Sequence, residues 1–158
     1  MTVTTSPRPA APPRTPTYGF ALAVAAVLAM MAGASAPSPF YPVLQQQLGF
    51  SAATMTAIFA VYALALLVTL LVVGSVSDHV GRRPVVSIGF VVLALIMVAF
   101  WHADSVTVLV VARIVQGVAA GLLLSSLSAV VVDLEPSDRP GSAATLNSVS
   151  PMAGMAIG

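Results

Sequence analysis

The residues able to do chemistry are few and fall in two places. The 158 residues include six arginines and five acids, with no lysine and no cysteine. One cluster is Gly74-Ser75-Val76-Ser77-Asp78-His79-Val80-Gly81-Arg82-Arg83-Pro84, which holds Asp78, Arg82 and Arg83 between two apolar runs. A helix ending near Gly74 would set Asp78 at its C-terminal end, where the macrodipole disfavours an acid. Arg82, four residues on, can offset that cost as an i,i+4 partner or across a tight turn. Gly81 permits the turn, and Pro84 suits the first position of the next helix. The plainer reading is a basic loop that stops two hydrophobic segments at one membrane face.

The second place is Arg113-Ile114-Val115-Gln116-Gly117-Val118-Ala119-Ala120-Gly121. Arg113 stands deep in an apolar run, ~10 Å along a helix beginning at Val106. A charge at such depth costs on the order of 3 kcal/mol, so it should face a partner or a water-filled cavity. Arg113, Gly117 and Gly121 recur every four residues, and Ser125 continues their face. Gly117 and Gly121 form a GxxxG surface on which another helix can approach closely. The alternative role for Arg113 is to snorkel outward or to glue two helices together.

Neither cluster is catalytic. His79 and His102 fall at opposite ends of a span and cannot share a metal. No HExxH pattern, nucleophile elbow or phosphate-cradling glycine loop occurs. With no cysteine, disulfides and thiolate chemistry are excluded. A net charge of +1 and no basic run longer than Arg82-Arg83 argue against nucleic-acid binding. The chain reads as neither an enzyme nor a cofactor protein.

The elements that carry these residues are membrane spans. Hydrophobic residues make up 58% and charged residues 7%, against about a quarter charged in soluble domains. Residues 1–17 hold five prolines and two arginines and read as a disordered, proline-rich cytosolic tail. Five spans follow, at about 19–40, 54–74, 85–101, 106–132 and 143–158. In the first, the apolar run from Gly19 to Ala36 meets Pro37 and Pro39, and Phe40 and Tyr41 sit where aromatics favour an interface. The same run with Ala34-Ser35-Ala36 also imitates a secretory signal with its cleavage site. Residues 42–53 read as a short uncharged loop, with Ser51 as N-cap of the second span. Arg8, Arg14, Arg82, Arg83 and Arg139 fall on one side and none in the opposite loops. By the positive-inside rule the amino terminus is cytosolic.

The spacing Gly-x3-Asp-x2-Gly-Arg-Arg-Pro from Gly74 to Pro84 resembles the loop between helices 2 and 3 of the major facilitator superfamily. Arg113-x-x-Gln116-Gly117 in the fourth span resembles that superfamily's fourth helix, and the two signatures come in order. The resemblance implies an all-α polytopic fold of two six-helix halves with substrate bound between them. It assigns Gly74, Asp78, Gly81, Arg82 and Arg83 to a cytosolic gating latch. It assigns Arg113, with Gln116, Gly117 and Gly121, to coupling between that motion and proton or substrate binding. A partial third match, Ser150-Pro151-Met152-Ala153-Gly154-Met155, keeps the proline and one glycine of the antiporter branch's helix 5. It has Ser150 and Met155 where that branch has glycines, which weakens the antiporter assignment and leaves Pro151 and Gly154 as a kink or as ordinary irregularity.

These readings give the amino-terminal part of a proton-coupled exporter of a small organic solute, in a bacterial inner or plasma membrane. A fragment or truncated reading frame is the expectation, because twelve helices need roughly 400 residues at ~20 per span plus loops. The partners implied are the lipid bilayer, a small-molecule substrate, protons and a carboxy-terminal half. The isolated chain is expected not to transport. Tyr62 and Gln116 are, on polarity alone, candidate cavity contributors. Arg113 cannot carry a proton itself. No acid lies inside a span, so a proton site would be elsewhere or absent. Export or uptake of a metabolite or sugar is the alternative in the same fold, and an oligomeric scaffold the alternative outside it.

Overall fold

The computed structural model describes residues 17–73, 81–135 and 140–157. Their elements are helical: α1 Thr17–Ser35, a 3-10 turn Ser38–Phe40, α2 Tyr41–Leu48, α3 Ala52–Val73, α4 Arg82–Trp101, α5 Val106–Asp133 and α6 Ser142–Ile157. Four stretches are long and apolar enough to cross a bilayer: Tyr18–Leu48, Ala52–Val72, Arg82–Trp101 and Val106–Asp133. Residues 1–16, Gly74 and Asp78 lie outside the described residues.

The helix ends follow from local chemistry. α1 stops because Pro37 and Pro39 cannot donate a backbone hydrogen bond, and the Ser35 hydroxyl folds back to the Met31 and Ala32 carbonyls. The chain beyond is not the loop expected over residues 42–53, because Tyr41–Leu48 is helix. Pro39 and Pro42 sit in the first turns of their elements, where a missing N–H costs nothing. Gly49, at φ +67°, ends α2 in the left-handed region. Ser51 caps α3 as expected, accepting from the Thr54 N–H at 3.1 Å. Gly81 has φ +90° and makes the turn into α4. That helix begins at Arg82, three residues before the expected start, so both arginines lie in its first turn.

α5 is the axis of the bundle. Half of its most apolar window is buried, against 11–22% for the other three spanning stretches. It packs on α3, α4, α1 and α6. The GxxxG seam meets α3, where a Cβ at Gly117 would lie 2.6 Å from the Tyr62 carbonyl oxygen. One at Gly121 would lie 2.8 Å from Thr69 Cβ. Gly89 of α4 receives Leu123 of α5 in the same way. α6 lies on α1, with Gly154 pressed against Met31 and Leu28. Two buried clusters result. Met30, Leu93, Leu123 and Leu127 anchor the one nearer the Arg82 end. Tyr41, Ile58, Phe100 and Leu109 anchor the other. Leu64, Leu71, Ile88 and Leu95 point away from both and are more than half exposed, as residues facing lipid are.

Candidate functional site

Arg113 is the largest fully buried side chain, 1% exposed. Its Nε donates to the Tyr41 hydroxyl at 2.5 Å, and its Nη1 to Gln116 Oε1 at 2.7 Å. The Gln116 amide in turn donates from Nε2 to the Gly33 carbonyl at 3.3 Å. The rings of Tyr41, Phe59, Tyr62 and Phe100 surround the guanidinium, with centroids 4.9–5.4 Å from Cζ. A cation over an aromatic face gains about 0.5–2 kcal/mol, more when desolvated. Four faces and two hydrogen bonds offset much of the cost of burying the charge. The outward snorkel is therefore not what the geometry shows.

The compensation is incomplete. Nη2 is buried with no hydrogen-bond partner among the described residues. Arg113 lines a cavity of about 440 Å³ with Phe59, Tyr62 and the break after α1, from Ala34 and Ser35 to Ser38 and Pro39. A buried donor left unpaired costs about 1–3 kcal/mol, more for a charged group. The arrangement can accept an oxygen acceptor, such as a carboxylate or carbonyl, between aromatic walls.

The second site lies at the far end of the bundle. Phe100, against Arg113, and Arg82 are eighteen residues apart on α4, on the order of 27 Å along its axis. Arg82 Nη1 donates to Asp133 Oδ2, closing an ion pair between the start of α4 and the end of α5. Each residue sits at the helix end its charge disfavours, and each offsets the other. The pair is 34% and 57% exposed, so it contributes at most about 1 kcal/mol. The expected partner of Arg82 was Asp78; the described partner is Asp133, 51 residues away in sequence. Arg83 is exposed. Nearby, Glu135 Oε1 accepts from the Ala143 N–H at 3.0 Å and the Ser142 hydroxyl at 3.4 Å, capping α6. Those donors, the Ala143 amide foremost, hold the Glu135 carboxyl below its ordinary range.

The candidate residues thus divide. Arg113 and Gln116 share one network, while Gly117 and Gly121 set the spacing of α3 that carries Tyr62 over the guanidinium. Gly81 and Arg82 belong to the other end. Pro151 lies within α6, and Gly154 makes the contact with α1. Tyr41, Phe59, Phe100 and Asp133 are functional-site neighbours that the sequence did not single out. Tyr41 carried the one available signal, a hydroxyl beside a proline break.

A family model described as Major Facilitator Superfamily matches residues 22–158. The chain is 23% identical over 101 residues to "Quinolone resistance protein NorA" of Staphylococcus aureus, covering 64% of this chain and 26% of that protein. It is 35% identical over 80 residues to "Multidrug resistance protein MdtL" of Shewanella sp. (strain ANA-3), covering 51% of this chain and 20% of that protein. The chain spans about a quarter or less of the length of these curated relatives.

Proposed function

Since the chain belongs to the Major Facilitator Superfamily, whose members are transporters and not enzymes, we propose that it supplies part of a secondary active transporter exporting a small organic solute. The names of the two relatives, which concern resistance to quinolones and to multiple drugs, favour export of a drug-like solute. The observation that carries the reading is the Arg113 network, a fixed buried cation that lines a cavity and whose Nη2 has no hydrogen-bond partner among the described residues. A scaffold that only held helices together would have no use for such a group. Arg113 acts by binding: an acceptor on the solute, or a carboxylate supplied by an opposing half, takes Nη2 in one state of the cycle and leaves it in another. Protons, if exchanged for solute, titrate on that acceptor, because the guanidinium stays charged.

The two ends then have separate tasks in alternating access. Gly81, Arg82 and Arg83, with Gly74 and Asp78, form the cytosolic latch, and Asp133 holds Arg82 while the latch is closed. Trp101 and His102 face the outside of a bacterial inner membrane, and the amino terminus is cytosolic. A carboxy-terminal half completes the pathway, and the isolated 158-residue chain does not transport.

The test begins by reading the genomic DNA past the Gly158 codon. The open frame is then expressed, and inverted vesicles are assayed for movement of a fluorescent drug-like dye against a pH gradient. The expected result is dye accumulation with proton release, lost in Arg113→Ala. Dye movement without proton flux would reject exchange, and no dye movement in the full frame would reject the export reading.

A further inference from the structure

Pro37 has no N–H. In an unbroken helix residue 37 would donate to the Gly33 carbonyl, as Ala36 does to Ala32 at 2.8 Å. The Gly33 oxygen has therefore lost its backbone donor, and hydrocarbon offers none. Gln116 of α5 supplies one from Nε2. Beyond the break, Arg113 Nε holds the Tyr41 hydroxyl. So α5 grips the chain on both sides of Ala36–Phe40, and the Gln116 Oε1 bond to Arg113 Nη1 ties the two grips together. The remaining hold on the segment is apolar: Leu44 and Leu48 pack against the cluster, and the Tyr41 ring lies against Phe59 and Phe100. Neither the 3-10 turn nor α2 has a side-chain cap, and Tyr41 is the buried residue of α2. Phe40 and Val43 beside it are 56% and 51% exposed.

We infer that Gln116 and Arg113 of α5 together form a latch on the break after α1, holding α2 down over the buried cluster while both bonds are made and freeing it when they are lost. The inference goes beyond the transport reading and stands on this chain's geometry whichever solute is carried. Gln116 and Tyr41 are positioning residues that act through Arg113. An acceptor that draws the guanidinium toward the cavity lengthens the Nε bond to Tyr41, so occupancy of the cavity and release of α2 become one event. Gly33 and Pro37 are the other half of the device, because the proline creates the unpaired carbonyl that Gln116 reads.

These 158 residues hold no cysteine, so, with any cysteine beyond Gly158 replaced, one introduced thiol reports without background. Ile58→Cys places it in the cluster beneath Tyr41, at a position 0% exposed. Ala119→Cys places a control in the other cluster. The full chain in lipid vesicles is treated with N-ethylmaleimide. Tyr41→Phe and Gln116→Glu should each speed labelling of Ile58→Cys by roughly tenfold, in keeping with loss of one charge-linked hydrogen bond, and leave Ala119→Cys unchanged. Adding Pro37→Ala restores an N–H to Gly33, and should return the Gln116→Glu rate toward the parent without correcting Tyr41→Phe. Equal rates in every background would overturn the latch. So would a parallel rise at Ala119→Cys, which would mean that these bonds only stabilise the fold. Failure of Pro37→Ala to restore the rate would overturn the part assigned to Gly33 and Pro37.

Discussion

Adding one methyl group at three glycines separates helix packing from helix propensity. Replacing a helical glycine by alanine gains up to about 1 kcal/mol in propensity. At Gly33 a new Cβ meets nothing within 4 Å, so Gly33→Ala should be neutral or stabilising by up to that amount. At Gly89 the Cβ would lie 2.6 Å from Cγ of Leu123, a side chain that is itself fully buried and must find another rotamer. At Gly117 the obstacles cannot rotate away: the Tyr62 carbonyl oxygen at 2.6 Å, the Ala65 Cβ at 2.8 Å and the Leu66 nitrogen at 3.1 Å. No rotamer relieves them, and α3 as a whole must withdraw. Overpacking of this kind costs about 1–3 kcal/mol, so the difference between Gly117→Ala and Gly33→Ala should fall in that range, with Gly89→Ala between. Propensity is common to all three and largely drops out of the comparison. The assay is reversible unfolding in mixed micelles, followed by far-UV circular dichroism. If Gly117→Ala unfolds at the same denaturant fraction as Gly33→Ala, the close approach of α3 and α5 is not what these glycines serve. A displaced α3 would also draw Tyr62 from Arg113, which links the seam to the site.

Two further predictions concern the Arg82 end. A double-mutant cycle of Arg82→Ala and Asp133→Ala should give a coupling of about 1 kcal/mol or less, shrinking as salt rises, because the pair is partly exposed; a coupling unaffected by salt would contradict the exposed geometry. The depressed Glu135 carboxyl stabilises the start of α6 fully above the ordinary carboxylate range, and that contribution is lost as pH falls through its lowered value. Protection of the Ala143 amide, its exchange measured against the intrinsic rate, should therefore fall in acid, and Glu135→Gln should remove that fall; an unchanged pH profile in the variant would count against the cap.

How much of this was legible depended on the range of each interaction. Four of the five expected spans were legible because run length and apolarity are local, and Arg113 stood out because nothing around it is charged. The GxxxG spacing correctly announced a close helix without saying that it was α3. The helix Tyr41–Leu48 was not legible: Pro37, Pro39, Pro42 and three glutamines look like a loop, and the prolines are harmless only because they fall in first turns. Tyr41 read as an interfacial aromatic, since its contact with Arg113 crosses 72 positions. Arg82 invited a partner four residues away, and the described one came from the end of another helix.

The surroundings of Arg113 also have an order in time. Tyr41, Phe59, Tyr62 and Phe100 all precede it in the chain, and Gln116 follows within one turn. Synthesis runs from the amino terminus, so α2, α3 and α4 are made before α5 carries its cation into the bilayer. The most expensive residue of the chain thus arrives last at its own enclosure, and its time unaccompanied in hydrocarbon is short. Moving the same arginine to the equivalent depth of α1 would leave every one of those rings still to be made.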